Sequence, residues 1–224
     1  MARFSRLEVL NRIVEVGLVP VFYHGDFEVA SQVVAACSAG GVTVFEFTNR
    51  GDHAIDVFRE LAQRIVQQTP GLILGAGSIV DAPTAALYVA HGANFIVGPS
   101  FNEPVARFCN RRKIAYLPGC ATATEIAVAE EAGVEIVKLF PCELVGGPEF
   151  VKALLGPCPW TRIMVTGISQ VTKAGLAAWF KAGIVAAGIG RELFKREFLE
   201  QRDYAALTRR AAEIRQWIQE ARGR

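Results

Sequence analysis

Residues 134–142 read VEIVKLFPC, from Val134 to Cys142. Val134, Ile136, Val137, Leu139 and Phe140 make a near-continuous apolar run, and Pro141 ends it. A short run that is apolar on both faces reads as a strand of a parallel sheet covered on both sides. Lys138 lies near the end of this strand. A lysine is among the residues least often buried without a partner.

Seven more runs of the same kind surround it: LVPVFY (18–23), VTVFEF (42–47), LILGAG (72–77), NFIVG (94–98), IAYLPG (114–119), RIMVTG (162–167) and IVAAGIG (184–190). Most end in Gly or Pro. Between them lie stretches of helical period, such as Val29, Val33, Val34 and Cys37, or Ala54, Val57, Phe58, Leu61 and Ile65. Eight strands, each followed by a helix, predict an α/β fold: a TIM (β/α)8 barrel with an extra N-terminal helix. A doubly wound open sheet is the alternative. The chain reads as one barrel domain over residues 1–224, with the first helix at about 3–16 and the barrel at about 18–200. The closing helix is expected at about 203–222, with Tyr204, Leu207, Ala211, Ile214 and Ile218 on one stripe and its arginines on the solvated face.

The composition, 51% hydrophobic and 21% charged, supplies a sizeable core, and a net charge of +2 favours neither nucleic acid nor a membrane as partner. The five cysteines show no CxxC spacing, so they read as reduced thiols in a cytoplasmic protein. His24, His53 and His91 are scattered and read as structural or surface residues rather than metal ligands. The opening MARFSRLEVLNRIVEVG is amphipathic without the apolar core of a signal peptide, and no run is long enough to span a membrane.

Active sites of TIM barrels lie at the C-terminal ends of the strands. Glu46, in VTVFEFT, is as anomalous there as Lys138. Alternate strand residues face the barrel interior, so both side chains are candidates for the lumen. Burial lowers a lysine's pKa, and a neutral amine is a nucleophile that forms a Schiff base with a ketone. The protonated imine is an electron sink for breaking an adjacent C–C bond, and a nearby carboxylate moves the protons. The competing reading is a buried Lys–Glu pair that only fills the barrel. Arg50 reads either as a surface arginine or as a fork for a substrate carboxylate. GAGS (75–78) lacks the third glycine of a dinucleotide fingerprint. Glycines at strand ends serve tight turns or a close backbone approach to an anion.

On these residues the chain resembles the class I 2-keto-3-deoxy-6-phosphogluconate (KDPG) aldolases, a family that includes 4-hydroxy-2-oxoglutarate (KHG) aldolases. The resemblance runs from about Leu18 to Leu193 through VPVFY, GGVTVFEFTNRG, GAGS, VGPSFNEP, PGCAT, EIVKLFP and TGIS. It implies that Lys138 is the Schiff-base lysine and Glu46 the acid/base carboxylate. It implies that Arg50 holds the keto-acid carboxylate, with Ser78 as a substrate-binding residue in the place of a family threonine or serine and Pro99 and Phe140 as pocket walls. It also implies a TIM barrel, a homotrimer, a small 2-keto acid as substrate and no metal or organic cofactor. Thr166, Gly167, Gly188, Gly190 and Arg191 fall on the family's phosphate site. There the chain departs from the family twice. Val165-Thr166-Gly167-Ile168-Ser169 is one glycine short and lacks a proline, and Arg191 stands where a serine is common. The expected reaction is cleavage of a 2-keto-3-deoxy sugar acid to pyruvate and an aldehyde. The alternatives are cleavage of 4-hydroxy-2-oxoglutarate, and a diverged barrel that binds a sugar acid without catalysis.

Overall fold

The computed structural model describes residues 2–223. Its elements alternate along the chain. Helix α1 (Arg6–Val16) precedes β1 (Leu18–Phe22), α2 (Phe27–Ala39), β2 (Val44–Thr48), α3 (Ala54–Gln68), β3 (Ile73–Gly77) and α4 (Ala82–Ala90). Next come β4 (Phe95–Val97), α5 (Glu103–Arg112), β5 (Ala115–Leu117), β6 (Gly119–Cys120), α6 (Ala123–Glu131) and β7 (Val137–Leu139). The chain finishes with α7 (Gly147–Leu155), β8 (Ile163–Thr166), α8 (Lys173–Ala182), β9 (Ala186–Ile189), α9 (Arg196–Glu200) and α10 (Tyr204–Ala221).

All strand pairs are parallel, in the order β5-β4-β3-β2-β1-β9-β8-β7-β6. Segments β5 and β6 are the two halves of the fifth predicted strand, so the sheet closes on itself as a TIM barrel. The run IAYLPG is therefore not one continuous strand. Pro118 has no N–H to give to the ladder, and the strand is interrupted at that residue. Its carbonyl still accepts from Lys138 N–H at 2.9 Å, and Gly119 N–H reaches Gly98 O at 3.0 Å, which carries the ladder across the seam.

Two apolar clusters follow from the period of two along each strand. Leu18, Phe22, Phe45 and Phe47 face outward against the helices. Val19, Val44, Ile73, Phe95, Ile136, Met164 and Ala186 fill the interior. Helix α1 adds Val9, Leu10 and Ile13 to that inner cluster and so stops the lower end of the barrel. It begins at Arg6 rather than near residue 3, because Ser5 forms a capping box with Glu8.

The strand read as 135–140 is shorter at both ends. Glu135 instead turns out to meet Arg6 in an ion pair at 2.7 Å. Helix α10 buries Leu207, Ala211, Ile214 and Ile218 as its pattern predicts. Its arginines are not all solvated, however. Arg210 donates to Val171 O at 3.0 Å and lies 5.1 Å from the Trp217 ring centroid. Arg222, just past the helix, donates to Val14 O, Glu15 O and Val185 O and covers Phe180. A guanidinium carries enough donors to serve several carbonyls at once, and its stem covers apolar surface. The five cysteines are free thiols, four of them buried. No helix among the described residues is long and apolar enough to cross a membrane.

Candidate active site

The interior face of β2 reads Val44, Glu46, Thr48, and that of β7 continues Ile136, Lys138, Phe140. Val44 and Ile136 belong to the inner apolar cluster. One pleat higher, Glu46 and Lys138 replace apolar side chains at the upper, C-terminal end. Glu46 stands beside Val21 and Gly75 in the register, and Lys138 beside Gly119 and Met164. Both are buried, with 3% and 6% of their surface exposed.

Small neighbours make the room. A Cβ on Gly77 would come within 1.8 Å of Glu46 Oε1, and one on Gly119 within 1.9 Å of the Pro99 carbonyl. Several of these glycines therefore provide space inside the barrel rather than tight turns. The sequence carries this signal in the pleat: Gly75 and Gly77 share the parity of Ile73, which faces the interior.

Burial depresses the Lys138 amine below the ordinary lysine value; Glu46 opposes this, and Arg50 adds to it. Burial likewise holds the Glu46 carboxyl above its usual range, while the charges of Lys138 and Arg50 pull it back. The two act on each other through space, with no direct salt bridge between them among the described residues. Lys138 Nζ lies 5.0 Å from the Phe140 ring centroid. The buried ion pair of the alternative sequence reading is thus absent in its simple form. The site instead holds an amine and a carboxylate that both resist charging.

Arg50 follows β2 on the exposed rim, and its Nε donates to Ser78 Oγ at 3.2 Å. Ser78 adopts a left-handed backbone with φ of 59° directly after β3. Pro99 is exposed on the β4–α5 loop, and Phe140 is half-buried.

Around the other half of the rim, Thr166 ends β8, and its Oγ1 is buried without a hydrogen-bond partner among the described residues. It sits against Gly188 of β9, where a Cβ would lie 2.5 Å from that hydroxyl. Gly167 takes φ of 100°, which explains a glycine at the exit of β8. Arg191 is exposed beyond Gly190. Sequence reasoning missed Glu143, whose Oε1 accepts from Ser169 N–H at 3.0 Å. One N–H of this loop is thereby already held by a carboxylate.

Two of the histidines have local partners. His24 stacks on Phe22 with centroids 6.4 Å apart, and its Nδ1 accepts from Asp26 N–H at 3.0 Å. His53 is exposed beside Asp56. No group of His, Cys, Asp or Glu among the described residues is arranged to hold a metal ion. A groove of about 610 Å³ runs along α5 past Glu103, Phe108 and Arg111. It contains no buried titratable group, so chemistry rather than volume locates the site.

A closed parallel barrel with a buried amine and carboxylate at its C-terminal mouth places the molecule among the (β/α)8-barrel enzymes. The family model for KDPG and KHG aldolases matches residues 9–210. The 2-dehydro-3-deoxy-phosphogluconate aldolase of Pseudomonas aeruginosa is 34% identical over 178 residues, which cover 80% of this chain and 78% of the relative. The KHG/KDPG aldolase of Escherichia coli K12 is 30% identical over 196 residues, or 88% of this chain and 89% of the relative. Among solved structures, a Legionella pneumophila KDPG aldolase, crystallised with pyruvate as a covalent carbinolamine intermediate, superposes with a TM-score of 0.82. It is 23% identical and covers 91% of this chain and 97% of that one. The chain belongs to the KDPG and KHG aldolase family, and it is an aldolase, a carbon–carbon lyase.

Proposed function

We propose that this chain is a Schiff-base aldolase that cleaves 2-dehydro-3-deoxy-6-phosphogluconate to pyruvate and glyceraldehyde 3-phosphate. The observation that carries the reading is Lys138: a buried interior lysine whose amine is held below its ordinary pKa beside the buried Glu46. Neutral Nζ attacks the substrate ketone at C2. Loss of water from the carbinolamine gives a protonated imine. Glu46 then takes the C4 hydroxyl proton, the C3–C4 bond breaks, and its electrons flow into the imine. The aldehyde departs, the enamine is protonated at C3, and water releases pyruvate from Lys138.

Arg50 and Ser78 hold the substrate's carboxylate, and Pro99 and Phe140 flank the reacting carbons. Thr166, Gly167, Gly188, Gly190 and Arg191 meet the far end. The reaction calls for no metal or organic cofactor. The protein works as a cytoplasmic homotrimer on a small-molecule substrate, with no nucleic acid or membrane involved.

One observation favours 4-hydroxy-2-oxoglutarate, cleaved to pyruvate and glyoxylate, as a second substrate. The Ser169 N–H is engaged by Glu143, which withdraws one loop donor from a phosphate, while Arg191 after β9 offers a guanidinium. The shorter dicarboxylate needs less of a phosphate cradle. Arg191→Ser is expected to change the ratio of kcat/KM between the two substrates; an unchanged ratio would remove Arg191 from the substrate contacts.

The deciding experiment is incubation with pyruvate and borohydride, followed by peptide mass spectrometry. A reduced pyruvate adduct on Lys138 is the expected result. Trapping at another lysine, or none from folded protein, would refute the imine mechanism assigned to this residue.

A further inference from the structure

Arg50 is flanked by two residues that tyrosines approach. On one side, Asn49 is fixed twice. Its N–H donates to Gly77 O of β3 at 2.8 Å, and its side-chain oxygen accepts from Tyr88 of α4 at 2.9 Å. Tyr88 is buried, packed edge-on against Phe58 at 4.9 Å between centroids. Burial pushes its phenol up to about 12, so the hydroxyl remains a donor at neutral pH. On the other side, Tyr23 leans from the end of β1 toward Phe47, 5.6 Å away, with its hydroxyl over Gly51. A Cβ at residue 51 would stand 2.1 Å from that oxygen, so a larger residue there would push the tyrosine aside.

Between these two contacts the Arg50 side chain is exposed and, among the described residues, hydrogen-bonded through Nε to Ser78. A long side chain loses rotamer freedom when it grips a ligand. The loss is smaller when its backbone and one of its nitrogens are already set, because a planar guanidinium fork needs its origin and plane aligned to meet a carboxylate.

We infer that Tyr88, acting through Asn49, is a positioning residue that sets Arg50's grip on the substrate carboxylate. This rests on the reading that Arg50 binds that carboxylate. The Tyr88 hydroxyl touches no reacting atom; it fixes the loop from which Arg50 reaches over the mouth. Its contribution therefore falls on substrate affinity and not on bond cleavage.

The test measures how much pyruvate is needed for half-maximal borohydride trapping, together with KM and kcat for cleavage. Tyr88→Phe keeps the ring and removes only the hydroxyl. It is expected to raise the pyruvate requirement and KM about twofold to tenfold, the range for one lost hydrogen bond, with kcat little changed. Asn49→Ala cuts the same bond from its other end and should give the same shift, and the double variant no more than either. Arg50→Ala is expected to raise the requirement further, and Tyr88→Phe should add nothing on that background. Wild-type affinity in Tyr88→Phe, or a full additional loss on the Arg50→Ala background, would overturn the positioning role while leaving Arg50 as the carboxylate ligand. Unchanged affinity in Arg50→Ala alone would overturn the reading of Arg50, and the role of Tyr88 with it.

Discussion

Lys138 is worth more as a neutral amine than as a cation because of where the strand puts it. Little of its surface meets water, and the largest influence on its proton is desolvation. Glu46 opposes that influence, so the carboxylate keeps the amine from falling further. The sign of a test follows. Over the pH range where Glu46 is ionised, Glu46→Gln removes a negative charge and lets the Lys138 pKa drop. The acid limb of pyruvate adduct formation, followed by borohydride trapping against pH, should move to lower pH. C–C cleavage in the same variant should fall, on the order of 10²- to 10⁴-fold, if Glu46 is the proton acceptor proposed above. A limb that stays put would mean that the two groups are not coupled. The linkage to stability runs in the same terms. Between the lowered native pKa and the ordinary 10.5, the unfolded chain binds the extra proton. The contribution of Lys138 to stability therefore rises with pH across that window. Lys138 and Glu46 were legible as residues because charged side chains inside apolar strands contradict their surroundings. Glu143 and Tyr88 were not, since a loop glutamate and a helical tyrosine contradict nothing.

At the level of the element, pleat parity does the sorting. Strands β2, β3 and β7 each place one column inward, and the columns change from Val44, Ile73 and Ile136 below to Glu46, Gly75 and Lys138 above. The glycines of β3 take part in this change. Gly77→Ala would set a methyl group into the Glu46 carboxylate, since no Cβ sits at 1.8 Å from an oxygen. The carboxylate or the strand must move, and an ångström of misplacement costs on the order of 10²-fold in rate. The expected result is a large fall in kcat, with the circular dichroism spectrum retained; wild-type kcat would show that Glu46 has freedom to spare. Parity could be read from the sequence for the apolar residues. For the glycines parity gave the position but not the role, because a glycine at a strand end fits a turn equally well. The broken fifth strand was half visible: Pro118 was plain, but only the neighbouring ladders show that its carbonyl still bridges the seam.

At the scale of the whole molecule, closing the barrel brings β2 and β7, far apart in the chain, to the same mouth, and α1 seals the opposite end. The seal is apolar, with Val9 and Ile13 fully buried against the strands. Ile13→Ala should cost about 2–5 kcal/mol of unfolding free energy, the usual range for emptying such a site. Denaturant unfolding would measure it, and a loss below 1 kcal/mol would show that the helix is not a structural plug. Sequence alone determined the alternation of strands and helices, the two anomalous charges and the family resemblance. Each of these is a local property, carried by hydrophobic period or by the residues of a short motif. Only the tertiary structure decided which strand faces meet, that Lys138 and Glu46 titrate against each other, that Glu143 occupies a loop N–H, and that Arg222 and Arg210 turn inward. Those depend on groups far apart in sequence coming within a few ångströms, where desolvation and hydrogen bonding act, and no periodicity along the chain encodes that distance.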